Sequence, residues 1–358
     1  MYYELLRHLP RSGVAVRGLV AGSSQVAWDS DQEVRAFARP TTPLPIRWWA
    51  LRRGLRRMLA EQRPDLVAAH FALYTFPVLD LIGTYPLVVH FHGPWALEAQ
   101  VEVGARPRTR IAAALERAVY RRGTCFVVLS RAFRDVLSQR YGVPTERIRV
   151  IPGGVDVDRF ATEATRWRAR ERLGWPQDRP LVLAVRRLVR RTGLEDLVAA
   201  IDEVRKRVPE VLLVVAGNGP LAGVLRDLVS SLGLENNVQL AGFVPELDLP
   251  IAYRAANVTV VPSEALEGFG LVVVESLAAG TPVLVTPVGG LPEVVRDLSP
   301  EMVLPEKGAG SLAEGLVAAL TGDLRLPGAE ACRSYARASY DWSVIAAQVR
   351  DVYSEVIP

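Results

Sequence analysis

The sequence predicts an α/β protein of two doubly wound, Rossmann-like domains, and three observations carry this prediction. The chain has 358 residues, roughly the length of two ordinary domains. Short apolar strands alternate with helical patterns along most of it, as in parallel sheets whose connections are helices. One stretch from Val258 to Val295, VTVVPSEALEGFGLVVVESLAAGTPVLVTPVGGLPEVV, contains a strand, a helix and a second strand in succession.

This central stretch places acidic side chains and glycines in the loop of a βαβ unit. A strand is predicted over Val258 to Val261, followed by a helix from near Gly270. Glycines allow a ligand close to the backbone, and the first turn of a helix attracts anions. Glu267 precedes that turn, and Glu275 follows it with a carboxylate suited to two neighbouring hydroxyls. Their separation of ~12 Å along a helix is about the reach from a sugar to a ribose across a diphosphate. The stretch therefore predicts a nucleotide-sugar site.

The pattern of these residues resembles a known family signature. E-x7-E with GFG after the first acid, then SLAAGTPVLVT and GGLPEVV, is similar to the donor-binding signature of the family-4 retaining glycosyltransferases, enzymes of the GT-B fold. The resemblance runs from the first residues to the last helix. It implies two Rossmann-like domains that face each other across a cleft, with transfer of a sugar from a nucleotide diphosphate sugar to a hydroxyl acceptor.

The resemblance also assigns roles within the loop. It implies that Glu267 is catalytic and faces the donor sugar, and that Glu275 binds the ribose hydroxyls. Backbone groups between them would bind the hydroxyls and phosphate of the donor, at Gly268, Phe269, Gly270 and Leu271. The alternative is an ordinary βα loop with a solvated glutamate and a second glutamate on the face of a helix.

Composition narrows the class of protein and its partners. Hydrophobic residues make up 49% and charged residues 23%, and no apolar run approaches the ~20 residues of a membrane span. The opening MYYELLRHLPRSG lacks the apolar core of a secretory signal, so we expect a cytoplasmic protein. Two cysteines, Cys125 and Cys332, and four histidines predict neither a disulfide framework nor a metal site. No cofactor is expected, because the nucleotide diphosphate sugar is the substrate.

Charge points to phosphate or anionic lipid as a partner. The net charge is only +4, and the arginines fall in separate clusters. No basic stripe is interleaved with aromatic residues, so nucleic acid is not expected.

The chain opens on a predicted helix, Tyr2 to Leu9, and a strand, Val14 to Val20. In a parallel α/β domain a strand should precede that helix, with a loop that lines the ligand crevice. The resembled family has a glycine-rich loop there, so we expect the first domain to lack its first strand and a natural or ancestral chain to have begun roughly 15–20 residues upstream. Residues 23–45 are polar and proline-bearing and predict a loop or short linker.

The next segment, IRWWALRRGLRRMLAEQR, predicts a basic amphipathic helix. Its apolar residues recur on one side and its arginines group on another, namely Trp48, Leu51, Leu55 and Met58, and Arg52, Arg53, Arg56 and Arg57. The region from Trp48 to Arg57 could lie on an anionic membrane surface, as in lipid-acceptor members of the resembled family. The alternative is that the apolar side packs on the sheet and the arginines are solvated.

Two predicted strands, PDLVAAHF and YPLVVHFHGPW, end in histidines. His90 and His92 are two residues apart and point to the same face. A third ligand of suitable type is missing nearby, which argues against a metal site. The resemblance places His92 beside the donor sugar and makes it a candidate catalytic residue, and the following turn from Gly93 to Trp95 favours this over a core histidine.

The two domains are predicted to meet in RIRVIPGGVDVDRF, which looks like the interdomain junction of the family. We predict an acceptor-side domain over residues 1–155 and a donor-binding domain over residues 156–335. Residues 336–358 are expected to contain a helix that crosses back to the first domain, with Trp342 as an anchor between the two.

An arginine-rich loop, RRLVRRTGLEDLVAAI, opens the second domain after the strand LVLAV. Arg187 stands where the resembled family carries its diphosphate-binding arginine, and guanidinium groups bind phosphate bidentately. The usual lysine of the family is Thr192 here, which with Glu195 forms a capping-box pattern. Arg191 or Arg190 would then supply the second positive charge. The alternative is a solvated basic loop.

Two rival functions remain at this stage. Gly217, Gly219 and Gly223 come close to a dinucleotide fingerprint and raise the possibility of an NAD-dependent oxidoreductase. The third glycine is one residue late and no acid ends the next strand, so the turn is better interpreted as a crevice loop. The other rival is a binding module that keeps the nucleotide-sugar site without efficient turnover. We predict a metal-independent retaining glycosyltransferase, whose leaving phosphate accepts the proton of the acceptor by resemblance.

Overall fold

The computed structural model describes residues 2–104 and 106–357. The chain divides into two compact units, the first containing Met1–Pro152 with Trp342–Pro358 and the second containing Gly153–Asp341. The sequence had placed the two divisions at residues 155 and 335. The predicted crossing segment contains the end of one helix of the second unit and a further helix that belongs to the first.

The first unit contains two parallel sheets and eight α-helices among its described residues. Its strands are β1 Gly18–Ala21, β2 Val34–Ala38, β3 Val67–Ala69, β4 Leu87–Phe91, β5 Cys125–Val128 and β6 Ile148–Val150. Its helices are α1 Tyr2–His8, α2 Gln25–Asp29, α3 Leu44–Glu61, α4 Ala72–Thr75, α5 Trp95–Val103, α6 Pro107–Arg122, α7 Arg131–Tyr141 and α17 Trp342–Val356, the last being numbered by its place in the chain.

The second unit is built from a single five-stranded parallel sheet and nine α-helices. Its strands are β7 Leu181–Val185, β8 Leu212–Ala216, β9 Val238–Gly242, β10 Val258–Val261 and β11 Val283–Val285. Its helices are α8 Val157–Phe160, α9 Arg166–Leu173, α10 Leu194–Arg207, α11 Ala222–Ser231, α12 Leu249–Ala255, α13 Leu271–Ala278, α14 Leu291–Val295, α15 Ala309–Thr321 and α16 Ala329–Tyr340.

The strands of the first unit are ordered β1-β2 and β3-β4-β5-β6, with every pairing parallel. The predicted linker over residues 23–45 is wrong, because it contains α2, β2 and the start of α3. Strand β2 pairs with β1 from Gly18 opposite Val34 onward. The predicted first strand also begins late, at Gly18 rather than Val14.

Side chains alternate between the two faces of the four-stranded sheet, and each face has its own core. Val89, Phe91 and Phe126 belong to one core, which α6 and α7 cover. Val88 and Val127 belong to the other, together with residues of α1 and α17. Trp342 begins α17, and it is buried inside the first unit, where its ring stacks near that of His8 at 6.4 Å.

The predicted apolar side of helix α3 packs against the core of the first unit. Leu51 is buried, Leu55 packs on the core, and Trp48 lies 6.1 Å from the ring of Phe76. For this side of the helix, packing on the domain is therefore the correct interpretation. Within the described residues, no helix is both long and apolar enough to cross a membrane.

The sheet of the second unit has the order β11-β10-β7-β8-β9, with all strands parallel. Its helices cover both faces, so this unit is doubly wound. Strand β7 is followed by β8 on one side, whereas β10 returns to the other side of β7. The connections leave β7 and β10 in opposite directions, which creates a topological switch point at their carboxyl ends.

Candidate functional site

Two loops meet at the switch point of the second unit. One follows β7 and carries the arginines, and the other follows β10 and carries Glu267. Ligands of open α/β sheets bind outside the carboxyl ends of the strands at such a position. The sheet topology therefore brings the arginine loop and the acidic loop of the sequence to one place.

Close backbone contacts hold the two loops together. Gly193 has a φ of +70°, and a Cβ at this position would lie 1.8 Å from the carbonyl oxygen of Pro262. The amide of Glu264 donates to the carbonyl of Arg191 at 2.9 Å, and Arg191 donates through Nη1 to the carbonyl of Leu266 at 3.3 Å. Only glycine at residue 193 permits this approach.

The predicted crevice turn after β8 also packs against the arginine loop. A Cβ on Gly217 would lie 1.9 Å from the carbonyl oxygen of Arg186, and one on Gly219 would lie 2.3 Å from that of Leu188. The amide of Leu188 donates to the carbonyl of Asn218 at 3.0 Å. Gly217 and Gly219 are thus required for the contact between these two loops. This contact accounts for the glycines that resemble a dinucleotide fingerprint, without a dinucleotide cofactor.

A cavity of about 410 Å³ opens between these loops. Three arginines and one carboxylate line it, namely Arg186, Arg187, Arg191 and Glu267, with Asn218 and apolar side chains including Phe243 completing the wall. Arg187, Arg191 and Glu267 were predicted site residues, and the structure brings them together. Arg186 was not predicted.

Arg186 forms a part-buried hydrogen-bond network with Glu267 and Ser263. Its Nη2 donates to Ser263 Oγ at 2.7 Å and to Glu267 Oε2 at 2.5 Å, and Ser263 Oγ donates to the same carboxylate at 2.9 Å. Burial raises the pKa of Glu267, but the charge and hydrogen bond of Arg186, with the hydrogen bond of Ser263, outweigh it and hold that pKa below its ordinary value. Glu267 is therefore a carboxylate at neutral pH.

Thr192 has a structural role that differs from the predicted capping box. Its Oγ1 donates to the carbonyls of Val189 at 2.6 Å and Arg187 at 3.1 Å. Helix α10 begins two residues after Thr192, at Leu194, with Gly193 at its N-cap and without a side-chain cap. The capping prediction is wrong because the left-handed conformation of Gly193 separates Thr192 from the helix.

The loop between Glu267 and α13 has the predicted form. Gly270 is the N-cap with a φ of 87°, and α13 begins at Leu271. Phe269 is buried and its ring lies 5.6 Å from that of Tyr340, so its side chain anchors the loop and leaves only its backbone for a ligand. A Cβ on Gly289 would lie 1.9 Å from the carbonyl oxygen of Glu267. The backbone of Gly289 therefore packs directly against the backbone of Glu267.

Glu275 lies in the middle of α13 and is half-buried. Tyr253 donates its hydroxyl to Glu275 Oε2 at 2.7 Å. Burial raises the pKa of Glu275 above its ordinary value, while this hydrogen bond opposes the shift. The tyrosine occupies one carboxylate oxygen and orients the other. Tyr253 was not singled out from the sequence, because an isolated tyrosine on a short helix gives no signal.

Three histidines of the first unit, His70, His90 and His92, form a stack at the carboxyl ends of β3 and β4. His70 Nδ1 and His92 Nε2 are 2.9 Å apart, and the ring of His70 also stacks on that of His90 at 4.4 Å. His90 Nε2 lies 2.7 Å from the hydroxyl of Tyr353 on α17. A cavity of about 180 Å³ is lined by all three histidines and by Trp95, so the predicted polar crevice at these strand ends is present.

Burial keeps the histidines neutral. It lowers the pKa of His92 to about 4 and, together with the charge of His92, that of His90 to about 3. Within the described residues, no group of three or more histidine, cysteine, aspartate or glutamate side chains is placed to hold a metal ion.

The fold is that of a glycosyltransferase of the GT-B class, and comparison with solved structures agrees. Sucrose-phosphate synthase from Thermosynechococcus elongatus is similar with a TM-score of 0.74 at 25% sequence identity, over 96% of this chain and 95% of that one. Anabaena HepE in complex with UDP-glucose has a TM-score of 0.79 at 22% identity, over 98% and 94% of the two chains. The latter likeness shows the fold.

The chain belongs to glycosyltransferase family 4. The family model described as "Glycosyltransferase Family 4" matches residues 1–159, and that described as "Glycosyl transferases group 1" matches residues 165–339. A GDP-mannose-dependent alpha-(1-6)-phosphatidylinositol monomannoside mannosyltransferase of Mycobacterium tuberculosis is 30% identical over 312 residues, which are 83% of this chain and 77% of that protein. Its namesake from Mycolicibacterium smegmatis is 37% identical over 176 residues, 47% of this chain and 46% of that protein.

Proposed function

We propose that this protein transfers a sugar, with retention of its anomeric configuration, from a nucleotide diphosphate sugar to a hydroxyl acceptor. The observation that carries the proposal is the cavity at the switch point, where Arg187 and Arg191 lie beside the buried carboxylate of Glu267. Arginines suit the diphosphate, and the carboxylate suits the hydroxyls of the sugar.

The proposed reaction breaks the bond between the anomeric carbon and the phosphate oxygen, and forms a bond from the same carbon to the acceptor oxygen. The proton of the acceptor passes to the leaving phosphate, so nucleoside diphosphate and glycoside are the products. Arg187 and Arg191 stabilise the charge that develops on that phosphate, a task that needs no divalent ion when fixed cations are present. His92 is proposed as a further catalytic residue.

The proposal leaves open which nucleotide sugar is the donor. The Mycobacterium tuberculosis relative is named for GDP-mannose, which makes GDP-mannose the first donor to test. Glu275, oriented by the hydroxyl of Tyr253, is proposed to bind the ribose diol that ADP-, CDP-, GDP- and UDP-sugars share.

The proposal is tested with purified protein and a panel of GDP-, UDP-, ADP-, CDP- and dTDP-sugars, in the presence and absence of EDTA. Binding is measured by calorimetry, and release of nucleoside diphosphate by a coupled assay with candidate saccharide and lipid acceptors. Nuclear magnetic resonance of the product gives the anomeric configuration. Binding of no donor would refute the proposal. Binding without turnover would favour a module that only binds nucleotide sugars, and an inverted product would refute retention.

We also propose that α3 meets an anionic membrane surface at the inner face of a membrane. Ile46 and Trp49 are exposed on this helix, 53% and 61% respectively. The guanidinium of Arg53 lies over the indole of Trp49 at 5.5 Å, and Arg56 is exposed beside them. An aromatic and basic surface of this kind suits the interface between lipid headgroups and acyl chains. The name of the M. tuberculosis relative contains the lipid phosphatidylinositol monomannoside, which supports a lipid surface.

A further inference from the structure

Arg186 is a buried cation with unused hydrogen-bonding capacity in the wall of the donor cavity. Its side chain is only 8% exposed. Both of its hydrogen bonds, to Ser263 and Glu267, leave from the same nitrogen, Nη2. The Nε–H is buried and finds no acceptor within the described parts of the chain.

A buried donor without an acceptor destabilises a folded protein, and native structures rarely retain one without a reason. A ligand oxygen in the adjoining cavity would remove this cost. The guanidinium is also already fixed in place, because Ser263 and Glu267 hold Nη2. A fixed guanidinium loses less conformational freedom on binding a ligand than a mobile one does.

The charges around the cavity indicate what that ligand oxygen belongs to. The charged side chains that line it are Arg186, Arg187, Arg191 and Glu267, which sum to two positive charges. A diphosphate that joins a nucleoside to a sugar carries one negative charge on each phosphorus, so the two sets balance. Without Arg186 the lining would carry a single positive charge, because Thr192 is neutral and is bonded to loop carbonyls.

We infer that Arg186 is a donor-binding residue, which donates through Nε to an oxygen of the donor diphosphate and supplies the second positive charge of the site. This inference rests on the proposed function. It assigns Glu267 a second task, since the carboxylate orients Arg186 through Oε2 and keeps Oε1 for the donor sugar. Arg191 donates a hydrogen bond through Nη1 to the carbonyl of Leu266 and contributes a further positive charge to the lining.

The main rival explanation is that Arg186 serves only as the counter-charge of Glu267. Replacement of Arg186 alone would leave a bare buried carboxylate, and a loss of binding could then reflect a damaged fold. The test therefore compares Glu267→Gln with the double variant Arg186→Met/Glu267→Gln, in which neither protein contains an unpaired carboxylate at this position. Arg226→Met, at an exposed arginine of α11, controls for the loss of one positive charge from the same unit.

Binding of ADP, GDP, UDP, CDP and dTDP is measured by calorimetry, with the parent nucleosides as a second set of probes and thermal unfolding as a check on the fold. We expect the double variant to bind the preferred nucleoside diphosphate roughly 10- to 100-fold more weakly than Glu267→Gln does. The double variant should bind the parent nucleosides as tightly as Glu267→Gln does. Arg226→Met should bind nucleoside diphosphates as tightly as the unaltered protein does. In the Glu267→Gln background, Arg186→Lys, which keeps the charge, should lose less affinity than Arg186→Met does.

Two outcomes would overturn the inference about Arg186. The first is equal diphosphate affinity in Glu267→Gln and the double variant. The second is an equal loss of affinity for the parent nucleosides, since this would place the effect away from the diphosphate. If the unaltered protein binds no nucleoside diphosphate at all, the proposed function fails as well, so the two failures are distinguishable.

Discussion

His70 Nδ1 lies 2.9 Å from His92 Nε2, so one ring of this pair donates a hydrogen bond and the other accepts it. The pair can exist only if at least one facing nitrogen is unprotonated. The stack continues to His90 and, through a 2.7 Å hydrogen bond, to Tyr353 of α17. The first unit thus joins a strand end to the last helix through three neutral imidazole rings.

The stack predicts an acid-sensitive first unit. Burial lowers the pKa of His92 to about 4 and that of His90 to about 3, while an unfolded histidine has a pKa of about 6.5. The unfolded chain therefore binds more protons in this range, so stability falls as pH drops from about 6.5. Urea unfolding between pH 7.5 and 4.5 should show a shallower decline for His90→Gln than for the unaltered protein. Identical slopes would contradict this prediction.

Loss of Arg187 should weaken the donor site directly. Arg187 is exposed and lines the cavity, so Arg187→Ala is expected to keep its fold and lose a charge-assisted contact with the diphosphate worth roughly 1.5–3 kcal/mol. Calorimetry with nucleoside diphosphates provides the measurement, and Arg226→Ala is the matched control. Unchanged affinity in Arg187→Ala would remove this residue from the site.

The two glutamates should separate the sugar from the nucleoside. Glu275→Ala is expected to weaken nucleotide sugars and plain nucleotides alike, because its carboxylate is assigned to the ribose. Glu267→Gln is expected to weaken nucleotide sugars only, and to leave plain diphosphates bound equally or more tightly, since the lining becomes more positive. Calorimetry with a nucleoside diphosphate and its sugar conjugate gives both affinities. Parallel losses in the two variants would show that these roles are wrongly assigned.

Membrane binding is predicted to depend on the exposed face of α3. Sedimentation with vesicles rich in phosphatidylinositol should fall when Trp49→Ser and Arg53→Gln are combined, and should also fall as salt rises, because screening shortens the reach of the surface charges. Trp28→Ser is the matched control, since Trp28 is an exposed tryptophan of the same unit. If the unaltered protein does not sediment with vesicles at low salt, the proposed membrane contact is wrong and α3 only packs on its domain.

Gly289 should be required for the position of Glu267. A Cβ at Gly289 would lie 1.9 Å from the carbonyl oxygen of Glu267, and its φ of +57° is unfavourable for other residues. Gly289→Ala is therefore expected to lower the unfolding temperature and the affinity for nucleotide sugars together. Gly223→Ala provides the control, because its Cβ meets no atom within 4 Å and alanine favours the helix. Normal sugar binding in Gly289→Ala would contradict the proposed support.

The sequence predicted the elements around the acidic loop closely, because their signals are local. Strand β10 runs from Val258 to Val261 as expected, and α13 begins one residue after Gly270. The segment before α3 was missed, since β2 is a five-residue strand with polar neighbours on both sides. Its identity as a strand depends on its partner β1, which a short window of sequence does not contain.

The site was predicted less fully than the fold. In the run RRLVRR no pattern distinguishes Arg186 from its neighbour Arg187, and only the tertiary structure places one inward against Ser263 and the other at the surface. His70 was noted only as the end of a strand, because its bond to His92 depends on the parallel pairing of β3 and β4. Thr192 was misinterpreted since a capping pattern cannot reveal the left-handed turn that follows it.

The return of α17 to the first unit sets an order for folding during synthesis. Residues 153–341 form one uninterrupted unit, so a ribosome releases all of it before the last helix emerges. Until then the face of the first sheet that contains Val88 and Val127 lacks Ile345 and Val349, which later bury it. The second unit can thus fold first although it begins second, and a stop codon just before Trp342 would remove α17 and leave this face of the N-terminal unit without Ile345 and Val349.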